Sequence, residues 1–292
     1  MNTSLDCLPC LFRQALDAVR RISDDPVLCE RMMRQVAEWI ATADLALSPP
    51  VMAQRIHRFL REELKTADPY SAAKARDNAL ALSLMPELRK RMADSSDPLV
   101  LAIRLAIAGN LIDLGPKHDL SVEDILRSIR QVMDAPFTGD VAYFKQEVSK
   151  AKDILYLADN AGEIVLDRLL VEALGPSRVT VAVRGSPVIN DATLEDARVA
   201  GLCELVPVIS NGSDAPGTVL ESCNRAFQER FAAADIVISK GQGNFETLNT
   251  VSRSIFFLFK VKCPVIASRI GHPQGTQVLF SSRATHERKG HV

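Results

Sequence analysis

The stretch from Asp153 to Glu163, DILYLADNAGE, constrains the fold more than any other part of the chain. Ile154 to Ala158 is an unbroken run of five apolar residues, which reads as a strand buried on both faces. Asp159 and Asn160 end the run, Ala161 and Gly162 turn the chain, and Glu163 opens a helical pattern that continues to Leu174. A strand, a polar turn and a helix in that order form the building unit of an open parallel sheet. In such sheets ligands sit beyond the carboxyl ends of the strands, which is where Asp159 and Asn160 fall. A carboxylate beside a carboxamide offers hard oxygen donors, suited to Mg²⁺ or Mn²⁺ rather than to a structural zinc. Taken alone the pair is better explained as a turn, which both residue types favour.

The same alternation repeats through the carboxy-terminal half. Gly175-Pro176 closes the first helix, and RVTVAVR (178–184) is a second strand ending in Arg184-Gly185-Ser186-Pro187 with Asn190-Asp191 beyond. Residues 193–200 read as helix, 204–209 as a Val-rich strand, 224–233 as helix, and 235–239 as a fourth main strand followed by Lys240-Gly241-Gln242-Gly243-Asn244. Residues 254–259 and 264–267 are further strand candidates. This predicts an α/β domain, Rossmann-like with a parallel sheet, over 151–292.

Residues 1–150 differ: helix follows helix, so the whole reads as an all-helical amino-terminal domain packed on the α/β domain. Pro26 and Pro49-Pro50 suit first turns, whereas Pro86 is expected to break the helix that begins near Tyr70. The apolar helix Leu99–Ala108 should be buried, and Ser121-Val122-Glu123-Asp124 reads as a capping box before another helix over 125–132. Asn110 and Asp113, at its apolar neighbour's end, are either a helix terminus or the lip of a pocket. Lys74 and Asn78 read as a solvated helix face. Cys7-x-x-Cys10 at a helix start could bind metal, cycle as a redox dithiol, or simply pack.

Composition closes several alternatives. With 292 residues, 47% hydrophobic and 24% charged, and a net charge of −1, the chain carries no footprint for nucleic acid or membrane. No leader or spanning segment is apparent at its start, so a cytoplasmic protein is expected. GxGxxG is absent after the first strand, and GQGNFE has Glu246 where the third glycine belongs. Neither a Walker A lysine motif nor a G-x-S-x-G elbow is present. What remains is a set of polar strand ends: Asp159 and Asn160, Arg184 with Asn190 and Asp191, and Lys240 with Asn244. Two carboxylates and a carboxamide could hold a divalent cation, Lys240 could hold phosphate as a point charge, and the glycines around Gln242 could let backbone N–H groups reach an anion. Such a site suits phosphoryl transfer to water, the metal polarising a phosphoryl oxygen and acidifying a water. A non-catalytic binding module and a thiol redox protein using Cys7 and Cys10 are the rival readings.

The ordered set CLPC, DPY with Lys74 and Asn78, AGNLID, ADNAGE, RGSPVINDAT, SKGQGNFE and KVKCPVIA resembles the damage-control phosphatase (ARMT1-like) family, long known as domain of unknown function eighty-nine. The resemblance runs to about residue 280, and the CxxC is similar to its stand-alone prokaryotic branch. It implies a helical domain beside a Rossmann-like one and a metal-dependent phosphatase acting on small phosphorylated metabolites. The ion would be Mn²⁺, Mg²⁺, Co²⁺ or Ni²⁺. By the resemblance Asp159, Asn160 and Asp191 match metal-binding positions, Lys240 matches a phosphate-holding lysine, and Asn110 and Asp113 face the same cleft. Arg184, Asn190 and Asn244 are expected at the substrate, and Glu163 in the cleft. Other branches read more like KGDLN where this chain has Gln242 and Gly243. Self-association is left open.

Overall fold

The computed structural model describes residues 1–109 and 135–282. Asn110, Asp113 and the expected helix at 125–132 lie outside the described residues.

Three amphipathic helices open the chain: α1 (Cys7–Ile22), α2 (Pro26–Ala41) and α3 (Pro49–Glu63). Leu11, Ala15, Ala18 and Val19 recur at helical spacing on α1 and are buried. Asp25 caps α2 by accepting the Val27 N–H at 3.0 Å, with Pro26 in the first turn. These helices and Tyr70 share a core of their own. Two longer-range helices follow, α4 (Ser71–Ala93) and α5 (Pro98–Ala108), and their buried faces belong to the core of the sheet.

Pro86 does not break α4, which runs through it to Ala93. The carbonyl it cannot bond is that of Leu82, on the exposed side of the helix, while Leu84, Met85 and Leu88 anchor the inner side. Water can take the carbonyl, and burial holds the axis.

Seven strands form one sheet in the order β1-β7-β6-β5-β2-β3-β4, parallel except for the β6–β7 pair. They are β1 (Phe137–Gly139), β2 (Ile154–Leu157), β3 (Val179–Val183), β4 (Val208–Ser210), β5 (Ile236–Lys240), β6 (Ile255–Lys260) and β7 (Gln277–Ser281). The intervening helices are α6 (Val141–Lys150), α7 (Glu163–Leu174), α8 (Leu194–Val199), α9 (Arg225–Ala233), α10 (Gln242–Leu248) and α11 (Pro264–Ile270). β2 lies inside the sheet between β5 and β3 and is fully buried: Ile154 and Tyr156 face one core, Leu155 and Leu157 the other. The chain moves outward from β2 to β4, then crosses back to β5 on the opposite side of β2. That reversal makes a crevice at the carboxyl ends of β2 and β5.

Three expectations shift. Residues 264–267 are helical, because Pro264 fits the first turn and Gly271 closes the helix with φ +72°. The third strand begins at Val208, since 202–206 form a turn and Pro207 has no N–H for the ladder. The sheet also takes in β1, ahead of residue 151, and β7. No described helix is long and apolar enough to cross a membrane.

Candidate active site

The site begins where β2 ends. The backbone continues past Leu157 as a short antiparallel bridge between Asn160 and Asp191, with Ala192 N–H donating to Asp159 O at 2.8 Å and Ala161 N–H to Asn190 O at 2.9 Å. Two stretches far apart in sequence are thus fixed side by side, and their side chains share one pocket. Asp159, Asn160, Asn190 and Asp191 line a cavity of about 340 Å³ beneath the amino-terminal helices. Two roomier depressions, of about 450 and 560 Å³, include no residue from the ends of β2, β3 or β5.

Arg184 ties the carboxylates together from below. It is 2% exposed, its Nε donates to Asp191 Oδ2 at 2.6 Å, and its Nη2 lies 3.7 Å from Asp159 Oδ1. The two carboxyls therefore lie on the same side of the sheet, within reach of one guanidinium. Asn244 holds Arg184 in turn: its Oδ1 accepts from Nη2 at 3.2 Å and from Thr218 at 2.8 Å, while its amide donates to Lys240 O at 2.7 Å. One guanidinium does not balance two buried carboxylates. Burial, and then the charge of Asp159, pushes the Asp191 carboxyl up to about 7 against the pull of Arg184.

Gly241, directly after β5, packs onto Asp159 so tightly that a Cβ there would lie 1.9 Å from Oδ2, and its φ is +82°. Asn160 turns its amide nitrogen to Asp159 Oδ2 at 3.0 Å and to Glu163 Oε2 at 3.3 Å. Excess negative charge, oxygen-only donors and a cradle with no room for a side chain fit a hard divalent cation. Asp159, Asn160 and Asp191 could hold it.

Lys240 is placed elsewhere than the sequence reading put it. It is fully buried, and its ammonium donates to Ala106 O, Glu163 Oε1 and Asp167 Oδ1, each at 2.6 Å. Those three bonds use all its protons, and its partners are two carboxylates and a backbone carbonyl. Burial disfavours its charge, but Asp167 and Glu163 raise its pKa overall. Glu163 is pushed up to about 8, by burial first, despite Lys240. The glycines beside Gln242 are tightly packed. Gly241 N–H is bonded to Leu258 O, and a Cβ on Gly243 would lie 2.3 Å from Pro216 O.

Lys74 and Asn78 are buried, not a solvated face. Asn78 accepts the Gly162 N–H at 2.6 Å and donates to Asp196 at 2.9 Å, and Lys74 pairs with Asp196 at 2.8 Å and Asp68 at 3.2 Å. Asp196 completes a capping box with Thr193 at the start of α8. This network, with Asp167 and Thr218, supports the site and was missed. Its only sequence signal was polar residues within apolar helix faces.

Cys7 and Cys10 line the same cavity, facing Cys263, with Cys10 exposed. Partial desolvation against the cavity wall, then Glu246 and Cys263 nearby, pushes both CxxC thiols up even though Cys10 keeps an open side, opposite to what a redox pair needs. Among the described residues no three His, Cys, Asp or Glu side chains gather as a metal cluster.

A switch-point crevice of this kind is where open α/β proteins bind their ligands, and here it is lined by paired acids and a carboxamide. The chain belongs to the damage-control phosphatase ARMT1-like domain family, whose model matches residues 3–278. The damage-control phosphatase PH1575 of Pyrococcus horikoshii is 32% identical over 97% of this chain and 99% of its own length. A damage-control phosphatase of Archaeoglobus fulgidus is 32% identical, covering 95% and 98%. The crystal structure of PH1575, described as a DUF89 family protein, superposes with a TM-score of 0.89.

Proposed function

We propose that this chain is a divalent-metal-dependent phosphatase that hydrolyses small phosphorylated metabolites, with Asp159, Asn160 and Asp191 holding the cation. The observation that carries the reading is the convergence of Asp159 and Asp191 on one buried guanidinium at the switch point. Family membership and the names of its relatives support the reaction class.

A divalent cation, when bound, supplies Lewis-acid polarisation of a phosphoryl oxygen. The chain's own residues do the rest. Asp159 and Asp191 bring the charge that recruits the ion, and Arg184 offsets part of their repulsion and sets their spacing. Asn244 and Thr218 fix Arg184, while Asn190, in the cavity lining, is placed to contact the substrate. A cavity of about 340 Å³ suits a small phosphomonoester rather than a polymer. Hard oxygen donors suit Mg²⁺ and Mn²⁺, and Co²⁺ and Ni²⁺, which stand higher in the Irving–Williams order, can use the same set. Lys240 acts through Glu163 and Asp167 rather than on the phosphate.

The test is phosphate release from p-nitrophenyl phosphate and a panel of phosphorylated metabolites with each ion. Wild type turns over with added metal and stops with EDTA, and Asp159→Ala loses at least about a hundredfold in kcat while keeping its fold. Full activity in Asp159→Ala, or in EDTA, contradicts the reading. Hydrolysis in ¹⁸O-labelled water under single turnover separates direct attack by water from an aspartyl intermediate.

A further inference from the structure

A carboxamide ligates a hard cation only through its oxygen, and a half-turn of the group about its last bond exchanges oxygen for NH₂. Something must fix which end of Asn160 faces the cavity. Its nitrogen is turned to two carboxylates, Asp159 Oδ2 at 3.0 Å and Glu163 Oε2 at 3.3 Å. Glu163 is itself immobilised. Its other oxygen takes a proton of Lys240 at 2.6 Å, and Lys240 is pinned by Asp167 and by the Ala106 carbonyl at the end of α5. Gly109 closes over the top, its backbone so near that a Cβ would lie 2.6 Å from Glu163 Cγ. Glu163 is 1% exposed.

We infer that Glu163 is a positioning residue: clamped by Lys240 and by the backbone at Gly109, it orients Asn160 so that the carboxamide oxygen serves as the third donor to the cation. The inference rests on the reading of Asp159, Asn160 and Asp191 as the cation's ligands. It gives the lysine of the SKGQGN segment a task away from the phosphate. It also explains why a glycine ends α5 at this point, since any side chain there would displace Glu163.

Mn²⁺ binding to the full chain by isothermal titration calorimetry, with far-UV circular dichroism to monitor the fold, tests this. Glu163→Gln keeps the volume but leaves one oxygen to serve both Lys240 and Asn160. Its Mn²⁺ Kd should rise about tenfold or more, as for other groups that orient ligands. Excess Mn²⁺ should restore kcat to within about threefold, which a residue in the chemistry itself would not allow. Gly109→Ala, which pushes on Glu163 without changing any charge, should weaken Mn²⁺ about fivefold in a folded protein. An unchanged Kd in either folded variant, or a kcat in Glu163→Gln that excess Mn²⁺ does not restore, overturns the proposal. Asp159→Ala is the separate control: if it binds Mn²⁺ as tightly as wild type, the ligand reading beneath the proposal fails, whatever Glu163 does.

Discussion

Gly241 makes the demands of the site visible at a single residue. Its φ of +82° with ψ of +159° lies in a region essentially reserved for glycine and costs an L-residue about 1–3 kcal/mol, and a Cβ would overlap the Asp159 carboxylate, 1.9 Å from Oδ2. Gly241→Ala should therefore lower Tm by a few degrees and weaken Mn²⁺ binding more than tenfold, with far-UV circular dichroism unchanged. Equal Mn²⁺ affinity in thermal-shift titrations of the two proteins would show that Asp159 does not need its present position. That Asp159, Asn160 and Asp191 would meet in one pocket was legible because polar residues recur at the ends of successive apolar runs, which a parallel sheet brings to one edge. Lys240 was legible as a strand-end residue of the site, but its partners were not. A lysine after a strand looks the same in sequence whether it faces solvent or two buried acids, and its partners Glu163 and Asp167 lie some seventy residues away. Lys74 and Asn78 were misread for the same reason, their partner Asp196 lying on a helix of the other half.

At the scale of elements, α3 carries a titration that the fold must pay for. His57 is 3% exposed, and burial, with Arg61 adding, lowers its pKa from 6.5 to about 4. Its Nε2 has no hydrogen-bond partner among the described residues, and the aromatic ring nearest it is that of Tyr70. The folded state thus keeps His57 neutral, while the unfolded chain takes up a proton near pH 6.5. Its contribution is intact above that pH and is lost as pH falls toward 4, by roughly 3 kcal/mol. Urea denaturation at pH 7 and pH 4 should show His57→Leu losing roughly 3 kcal/mol less than wild type over that interval. Parallel losses would mean that His57 takes up its proton as readily in the fold as in the unfolded chain. The elements themselves were mostly legible, because β2, β3, β5 and β6 are apolar on both faces and the helices carry clear periodicity. The exceptions have local causes: Pro264 can open a helix as easily as it interrupts a strand, and the three residues of β1 are too few to show a period.

For the whole molecule, α3 is tied to the loop after β4 by Asp214. Burial would push this carboxyl up, but Arg58, Gln54 and Arg61 hold it down to about 2. That clamp sets the roof of the cavity over its floor at the switch point. The α/β architecture was legible from alternation alone. The strand order was not, because it depends on where the chain crosses back beside β2, and no local pattern records that. Everything functional depends on the crossing, since it brings the ends of β2, β3 and β5 to one crevice.

Diffraction from crystals soaked in Mn²⁺, recorded for anomalous signal, tests the central claim most directly. One strong peak coordinated by the carboxylates of Asp159 and Asp191 and the carboxamide oxygen of Asn160, absent from Asp191→Ala crystals, is the predicted result. A peak at another set of side chains, or one that persists unchanged in Asp191→Ala, would contradict it.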